Sequence, residues 1–353
     1  MKPDERVGTA LVLFPGALGD FVCFFPALEE LARGRSVDLL ARGDYADLLP
    51  PRIAARSLER YEVRRLFAPG AEIDERLKAF YNAYEAVYSW MGSGQPDFVR
   101  HLEILCGGKL KIFPFRPSRS RIHMADYYLS CIGAMPSDNL STIQPRHDGL
   151  LWAERFWEEQ GLRDSSVLAL APGSGAKEKN WPLEFYRAVA EWWDKDYGRT
   201  VVLLGAVEEE RAEIGEEWGS AILVRRLGLA QVAASLSRCA LYLGNDSGIT
   251  HLAAALGVET VALFGPTDPV QWAPRGKKVT LIGQRVECSP CTHPIMKRCP
   301  HRKCLTGLSP DVVLDVLRNK ASGAAATGAR FLTRWGAEIK VRFTKNPEEI
   351  ILP

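Results

Sequence analysis

Short apolar runs alternate with longer segments in which apolar and polar residues mix at helical spacing, and this alternation covers most of the chain. Strands buried on both faces of a parallel sheet are apolar throughout, whereas the helices between them keep a polar side. The runs predicted as strands are residues 7–14, 37–40, 86–90, 110–113, 167–170, 200–204, 222–224, 240–243, 258–264 and 279–282. Because strands and helices alternate in both halves, the pattern predicts an α/β protein with two Rossmann-like parallel-sheet domains facing across a cleft.

The boundary between the two halves is predicted in residues 137–148, a polar stretch with one proline that is typical of an interdomain connection. We therefore expect an N-terminal domain over residues 1–145 and a C-terminal domain over residues 146–320. Residues 321–353 are predicted to form a linker and a tail, because the first of them are small and weakly patterned. Within this tail, the alternation in residues 331–343 predicts a strand or a hairpin.

The composition of the chain argues against nucleic-acid-binding, membrane-spanning and secreted proteins. The chain has 353 residues, 46% of them hydrophobic and 25% charged, which is typical of globular proteins. Its net charge of +2 is far from the basic excess of a dedicated nucleic-acid-binding protein, so we expect no nucleic-acid partner. No apolar run reaches about 18 residues, and the charged first residues lead straight into a strand, so neither a transmembrane helix nor a secretory signal is expected. The predicted location is the cytoplasm, where the eight cysteines would stay mostly reduced.

The stretch 239–272 is the most informative part of the chain, because it predicts a strand, a sharp polar loop, a helix and a second strand. The loop Asn245-Asp246-Ser247-Gly248 supplies residues that cap a helix, and small residues follow it. Parallel sheets bind ligands beside the carboxyl ends of their strands, and the free N–H groups of a helix N-terminus favour phosphate. The pattern therefore predicts a phosphate site, with an ordinary βαβ crossover as the equally weighted alternative.

Asp20 is the first residue with candidate chemistry. It follows the first predicted strand, after Gly16 and Gly19, at the place where the first helix should begin. A carboxylate in this position either caps the helix or serves as a general base aimed into the cleft. The glycines allow a ligand to approach the backbone closely. The chain carries neither the dinucleotide-binding fingerprint after this strand nor a P-loop, which argues against a P-loop nucleotidase.

A second glycine-rich turn follows the strand predicted at residues 167–170. Residues 171–182 combine glycine, serine and two lysines, and Pro182 is expected at the first helical position. Such a loop suits a diphosphate, although a solvated basic loop is an equally good interpretation. After the next strand, Glu208 is placed either to accept hydrogen bonds from a ribose or to sit in the first turn of a helix.

Together these segments resemble the heptosyltransferases of lipopolysaccharide synthesis, which are family 9 of the glycosyltransferases. The matching segments, in chain order, are Gly19-Asp20, Pro26-Ala27-Leu28, Pro172-Gly173, Lys179-Asn180-Trp181-Pro182, Gly205-Ala206 with Glu208-Glu209-Glu210, the run from Asn245 through Ala255, and Phe264 through Pro269. Each segment alone is weakly specific. Jointly, and in the order of the family, they span about residues 11–318.

The resemblance implies the GT-B fold, with the acceptor on the N-terminal domain and the nucleotide sugar on the C-terminal domain. It implies inverting transfer of a heptose or related sugar from a nucleotide-diphosphate donor, typically ADP-heptose, to a lipopolysaccharide core or similar glycan, without a metal or other cofactor. Asp20 would deprotonate the acceptor hydroxyl, whose oxygen would attack the anomeric carbon and expel the nucleoside diphosphate. The donor-binding residues implied in this way are Ser174, Lys179, Glu208, Leu227, Asp246, Ser247, Gly248 and His251.

A run of basic residues in the first half is a candidate contact for the acceptor. The acceptor-side residues, with Gly19 beside the predicted base, are Gly19, Lys109, Lys111, Arg116, Arg119 and Arg121. This run suits an anionic glycolipid or the inner-leaflet surface of the membrane, and an exposed basic face without a partner is an equally good interpretation. The expected location therefore includes peripheral contact with the cytoplasmic face of the inner membrane.

Four cysteines lie within a short span near the end of the second half. They are Cys288, Cys291, Cys299 and Cys304, and only the first pair has the spacing of zinc ligands. We expect free thiols or an adventitious disulfide here, with a structural metal site as the less favoured alternative. Two other functions also stay open: a nucleotide-sugar epimerase on the same fold, and a sugar-nucleotide-binding protein without catalysis.

Overall fold

The computed structural model describes residues 8–118, 121–135, 142–205, 218–284, 286–322, 330–332 and 338–340. The chain divides into two compact units, Met1–Ser141 and Thr142–Pro353, which are called the N-terminal and the C-terminal unit below. The division falls within the stretch that the sequence marks as an interdomain connection. The exact domain limits given above, and the cleft between the domains, stay predictions.

The N-terminal unit is built on a five-stranded parallel sheet in the order β3-β2-β1-β4-β5. Its strands are β1 Thr9–Leu13, β2 Ser36–Ala41, β3 Ile53–Ser57, β4 Ala86–Ser89 and β5 Leu110–Ile112. Because β2 and β4 both pair with β1, the strand order reverses beside β1. Ligands of open parallel sheets bind at such a reversal, beyond the carboxyl ends of the strands.

Helices cover this sheet, and the first of them carries the aromatic core. The α-helices are Leu18–Leu31, Tyr61–Arg64, Glu75–Asn82, Pro96–Cys106 and Met124–Cys131. Leu18–Leu31 begins three residues earlier than the aromatic run suggests, and it continues past Pro26. Phe21 and Phe24 are buried and stack on Tyr45 and Phe14, with ring centroids 4.3 and 4.2 Å apart. The phenylalanines that follow Asp20 therefore form core contacts.

The C-terminal unit contains an eight-stranded sheet in the order β13-β12-β11-β10-β9-β6-β7-β8. Its strands are β6 Val167–Ala171, β7 Arg199–Leu204, β8 Ile222–Arg225, β9 Leu241–Asn245, β10 Thr260–Phe264, β11 Val279–Gly283, β12 Arg330–Leu332 and β13 Glu338–Lys340. The pairs are parallel except for β12 and β13, which pair antiparallel. Two α/β units with parallel sheets confirm the predicted fold class. The strands β12 and β13 lie where the sequence predicts a strand or a hairpin, and the residues between them lie outside the described residues.

The strand order of this sheet reverses between β6 and β9. The chain adds β7 and β8 on one side of β6, and it then returns to place β9 on the other side and continues with β10 and β11. The glycine-rich turn that follows β6 and the Asn-Asp-Ser-Gly loop that follows β9 therefore emerge side by side. This is the position at which doubly wound sheets bind nucleotides.

The helices of the C-terminal unit correct several predicted boundaries. They are His147–Glu159, Leu183–Asp196, Leu229–Ser237, Gly248–Ala255, Pro269–Trp272, His293–Arg298, Lys303–Thr306 and Pro310–Ala321. Gly244 does not end β9, because backbone pairing continues to Asn245. Pro182 is the N-cap of its helix and not the first helical residue. The predicted cysteine loop contains two short helices, and the helix predicted at residues 208–217 lies outside the described residues.

Helix Gly248–Ala255 shows why the local sequence forms this element. The side chain of Ser247 accepts a hydrogen bond from the backbone N–H of Thr250 and so caps the helix. Alanines 253 to 255 are buried, and their small size lets the helix pack closely on the sheet. Across the part of the chain that the structure describes, no helix is long and apolar enough to span a bilayer.

Candidate functional site

Asp20 lies at the carboxyl end of β1, where the strand order of the N-terminal unit reverses. It is the third residue of helix Leu18–Leu31, and Ala17 is the N-cap, so Asp20 is not the N-cap residue but contributes its carboxylate to a capping box. Its Oδ2 accepts a hydrogen bond from the backbone N–H of Ala17 over 3.1 Å. A Cβ atom at Gly16 would lie 2.6 Å from the Cβ of Asp20, so only glycine lets the turn pack against this side chain.

Arg116 forms an ion pair with Asp20 that the sequence analysis does not anticipate. Its Nη2 donates to Oδ1 of Asp20 over 2.6 Å, and its Nη1 donates to the hydroxyl of Tyr128 over 3.0 Å. The guanidinium also lies 4.2 Å from the ring centroid of Phe115. The Asp20 side chain is only 12% exposed, whereas Arg116 is 40% exposed. The Asp20 carboxylate is therefore held on both oxygens, and the arginine remains open to solvent on one side.

The other predicted acceptor-side residues make contacts of different kinds. Lys109 donates to the backbone carbonyl of Tyr84 over 3.1 Å, and the ammonium of Lys111 lies 5.5 Å from the ring centroid of Tyr88. Gly19 is the second residue of helix Leu18–Leu31. Arg121 is exposed, and Arg119 lies outside the described residues. Arg116 is the member of this group that bonds to Asp20, and a role in acceptor binding stays a prediction for all of them.

Asn245 joins the two loops at the strand reversal of the C-terminal unit. It is fully buried at the end of β9. Its Nδ2 donates to the carbonyl of Pro172 over 2.7 Å, and its Oδ1 accepts from the backbone N–H of Trp181 over 2.9 Å. One side chain therefore holds both ends of the turn that follows β6. The sequence pattern marks this asparagine as a turn residue but does not reveal these two hydrogen bonds, because the partner backbone groups are distant in sequence.

Lys179, Asp246 and His251 meet in this region. The ammonium of Lys179 donates to Oδ2 of Asp246 over 3.1 Å, and Nε2 of His251 lies 3.9 Å from Oδ1 of the same carboxylate. Asp246 and His251 are buried, and the Lys179 side chain is 20% exposed. Burial by itself raises the pKa of Asp246, but the charge of Lys179 and the neighbouring imidazole outweigh it and hold that pKa at about 2. The carboxylate is therefore ionised at neutral pH, and it fixes Lys179 at the rim of the site.

The remaining predicted donor residues lie around this pair. The hydroxyl of Ser174 is 2.6 Å from Oδ1 of Asn180 and 2.7 Å from the carbonyl of Ala176, so it stabilises the turn itself. Ser247 and Gly248 form the N-cap and the first residue of helix Gly248–Ala255. The unpaired N–H groups of such a first turn attract anions. Leu227 is half-buried between β8 and helix Leu229–Ser237, and Glu208 lies outside the described residues.

The four cysteines of residues 288–304 carry free thiols. Cys288, Cys291 and Cys299 line a cavity of about 320 Å³ together with His301. Burial, together with the charge of the neighbouring thiols, raises the pKa of Cys304 to about 11. Among the described side chains, no group of three or more His, Cys, Asp or Glu residues is arranged to hold a metal ion.

Replacing Asn245 with alanine is expected to lower the free energy of unfolding of the C-terminal unit by about 2–4 kcal/mol. The change leaves the carbonyl of Pro172 and the N–H of Trp181 buried without partners, and unsatisfied buried groups are costly. Urea unfolding followed by tryptophan fluorescence and circular dichroism measures the effect. Asn82→Ala, at an exposed helix end, is the matched control and should change stability by less than about 0.5 kcal/mol. Equal stability of the two variants would contradict the proposed link between the loops.

Comparison with known proteins shows which proteins this chain resembles. Residues 144–300 match the sequence model of glycosyltransferase family 9 (heptosyltransferase). Lipooligosaccharide heptosyltransferase 2 of Campylobacter jejuni is 29% identical over 163 residues, covering 43% of this chain and 50% of that protein. Lipopolysaccharide heptosyltransferase 1 of Pseudomonas aeruginosa is 32% identical over 126 residues, 35% of each chain. The match thus spans about half the length, or less, of these curated relatives.

Solved structures extend the comparison to both units. A family 9 glycosyltransferase from Veillonella parvula superposes with a TM-score of 0.71 at 20% identity, covering 91% of this chain and 99% of that one. The ADP-heptose lipopolysaccharide heptosyltransferase II of Escherichia coli gives a TM-score of 0.67 at 18% identity, covering 90% and 100%. The fold is therefore that of the GT-B heptosyltransferases. The chain resembles glycosyltransferase family 9, by sequence in its C-terminal unit and by fold in both units.

Proposed function

We propose that this protein is an inverting, metal-independent glycosyltransferase. It moves a heptose from a nucleotide-diphosphate donor, ADP-heptose, to a lipopolysaccharide core or a similar glycan. The observation that carries the proposal is the pairing of Lys179 with Asp246 at the strand reversal between β6 and β9, inside the segment that matches family 9. A fixed ammonium beside a capped helix N-terminus is suited to a diphosphate.

The donor occupies the carboxyl ends of β6 and β9 in this proposal. Lys179 and the N–H groups at Ser247 and Gly248 bind the diphosphate, and Asp246 holds Lys179 in place while its carboxylate lies near the sugar. His251 supports the Asp246 carboxylate from the buried side. By the resemblance, Glu208 contacts the ribose and Leu227 lies against the adenine. Ser174 contributes by shaping the turn that carries Lys179.

Transfer requires one base and a stabilised leaving group. Asp20 removes the proton from the acceptor hydroxyl, the oxygen attacks the anomeric carbon from the face opposite the diphosphate, and the nucleoside diphosphate leaves. Positive charge and oriented N–H groups stabilise the negative charge that develops on the leaving diphosphate. The ion pair with Arg116 supports the role of Asp20, because it holds the carboxylate in one orientation. The proposed reaction needs no cofactor.

The proposed acceptor is an anionic glycolipid. The relatives described above are named as heptosyltransferases of lipopolysaccharide and lipooligosaccharide. Arg116 and Arg121 keep exposed surface and suit such a molecule. The proposed site of action is the cytoplasmic face of the inner membrane, reached by peripheral contact from the cytoplasm, and no nucleic-acid partner is proposed.

Calorimetric titration with ADP-heptose, ADP, UDP and NAD tests the donor site. We expect ADP and ADP-heptose to bind at least about tenfold more tightly than UDP, because the resemblance places an adenine and a ribose beside the diphosphate. Transfer of radiolabelled heptose to lipopolysaccharide from a heptose-deficient strain tests the reaction. Preference for UDP would contradict the proposed donor and favour an epimerase. Binding of ADP-heptose without transfer to any acceptor would favour a non-catalytic binding protein.

A further inference from the structure

The cysteine segment, defined here as residues 286–308, contacts the loop after β10 and the turn after β6, which is one of the two loops of the proposed donor site. The backbone N–H of Cys291 donates to the carbonyl of Pro266 over 2.7 Å, and the hydroxyl of Ser289 donates to the carbonyl of Gly265. At its far end, the carbonyl of Leu308 accepts from the indole N–H of Trp181 over 2.9 Å. The segment thus spans from the loop after β10 to the turn after β6.

Arg302 makes the contact that bears most directly on Lys179. Its Nη1 lies 3.1 Å from the carbonyl of Lys177 and 3.3 Å from the carbonyl of Asn180. These two carbonyls lie on either side of Lys179, in the short 3₁₀ turn Lys177–Lys179 and at its end. Lys297 adds a second contact from the same segment, an ion pair with Glu178 over 3.0 Å. The turn that presents Lys179 is therefore held from outside by two cations.

The backbone of Arg302 is itself held in an unusual conformation. Its φ of 43° lies in the left-handed region, which non-glycine residues rarely adopt. The backbone N–H of Arg302 donates to Sγ of Cys299, and its carbonyl accepts from the backbone of Leu305 and Thr306. These contacts hold the backbone of Arg302 in the left-handed conformation. In this conformation, the Arg302 side chain reaches the Lys179 turn.

We propose that Arg302 is a positioning residue for the donor diphosphate. It acts through the Lys179 turn, which it braces by its two carbonyl contacts, and not by touching the ligand. The inference rests on the proposed donor site, and it adds the cysteine segment to the parts of the chain that determine donor affinity. If Arg302 acts through Lys179, replacing Arg302 should no longer change the affinity for the diphosphate once the Lys179 side chain has been removed. A test must measure this dependence.

A double-mutant cycle measures this dependence, with ADP as the probe. Arg302→Ala should weaken ADP binding about tenfold in the wild-type background and less than about twofold in the Lys179→Ala background. Arg298→Ala is the matched control, because this exposed arginine belongs to the same segment and carries the same charge. It should change the affinity for ADP less than about twofold. Equal losses from Arg302→Ala in both backgrounds would overturn the proposal, since Arg302 would then act independently of Lys179.

Lysine labelling by an amine-reactive ester, followed by mass spectrometry, tests the same inference without any ligand. Lys179 is mostly covered in the braced turn, so its labelling rate should rise severalfold in Arg302→Ala and stay unchanged in Arg298→Ala. An unchanged rate in Arg302→Ala would overturn the positioning role even if ADP does not bind. Failure of wild-type protein to bind ADP, with the expected labelling difference present, would instead contradict the proposed function and leave the brace in place.

Discussion

Asp20→Asn is expected to lower kcat for heptose transfer by about 10³-fold and to leave the Kd for ADP within about twofold of wild type. Asparagine has the same shape and still accepts the hydrogen bond from Ala17, but it does not take a proton from the acceptor hydroxyl. General-base catalysis contributes about 10²–10⁴-fold, which sets the size of the loss. Steady-state kinetics with ADP-heptose and a heptose-deficient acceptor, together with calorimetry, measure both quantities.

The matched control for this substitution is Asp44→Asn, an exposed carboxylate of the same unit. It should leave kcat, KM and the affinity for ADP unchanged. Arg116 also faces a changed partner in Asp20→Asn, so circular dichroism and thermal unfolding must show that the variant keeps its fold. A folded Asp20→Asn protein with more than about a tenth of the wild-type kcat would exclude Asp20 as the base.

Lys179→Ala is expected to weaken ADP binding by about 10–100-fold. The substitution removes the ammonium proposed to bind the diphosphate, and hydrogen bonds to charged groups contribute about 1.5–3 kcal/mol. It also leaves Asp246 buried without its cation, so the unfolding temperature should fall as well. Calorimetric titration with ADP and a thermal unfolding scan separate the two effects.

Two further variants make this prediction sharper. Lys179→Ala combined with Asp246→Asn removes the unpaired charge, so the double variant should recover most of the lost unfolding temperature while ADP binding stays weak. Lys177→Ala removes an exposed lysine two positions earlier in the same loop, and it should change the affinity for ADP less than about threefold. Equal affinities of Lys177→Ala and Lys179→Ala for ADP would mean that the loop acts only through its overall charge.

The local sequence pattern is sufficient to predict most strands and helices of this fold and to place Asp20 after the first strand. The apolar runs identify the strands from β1 to β11 except β3, because a strand buried on both faces must be apolar along its length. Helix Pro96–Cys106 has the boundaries expected from its proline and its apolar spacing. Asp20 and the Asn-Asp-Ser-Gly loop can be recognised in the sequence, because glycines and capping residues determine the backbone conformation of the residues next to them. Errors of a few residues remain at helix starts, such as that of Leu183–Asp196, because the N-cap position of Pro182 depends on backbone angles.

The local sequence predicts two α/β halves and the segments that carry chemistry. The geometry of the site depends instead on contacts between residues far apart in the chain, which the folded structure reveals. The order of strands, which places the loops after β6 and β9 together, depends on pairing between residues far apart in the chain. The bonds of Arg116 to Asp20 and of Arg302 to the Lys179 turn likewise join distant segments. Such contacts leave no periodic trace in the sequence, because each rests on one side chain whose partner is set by the whole fold.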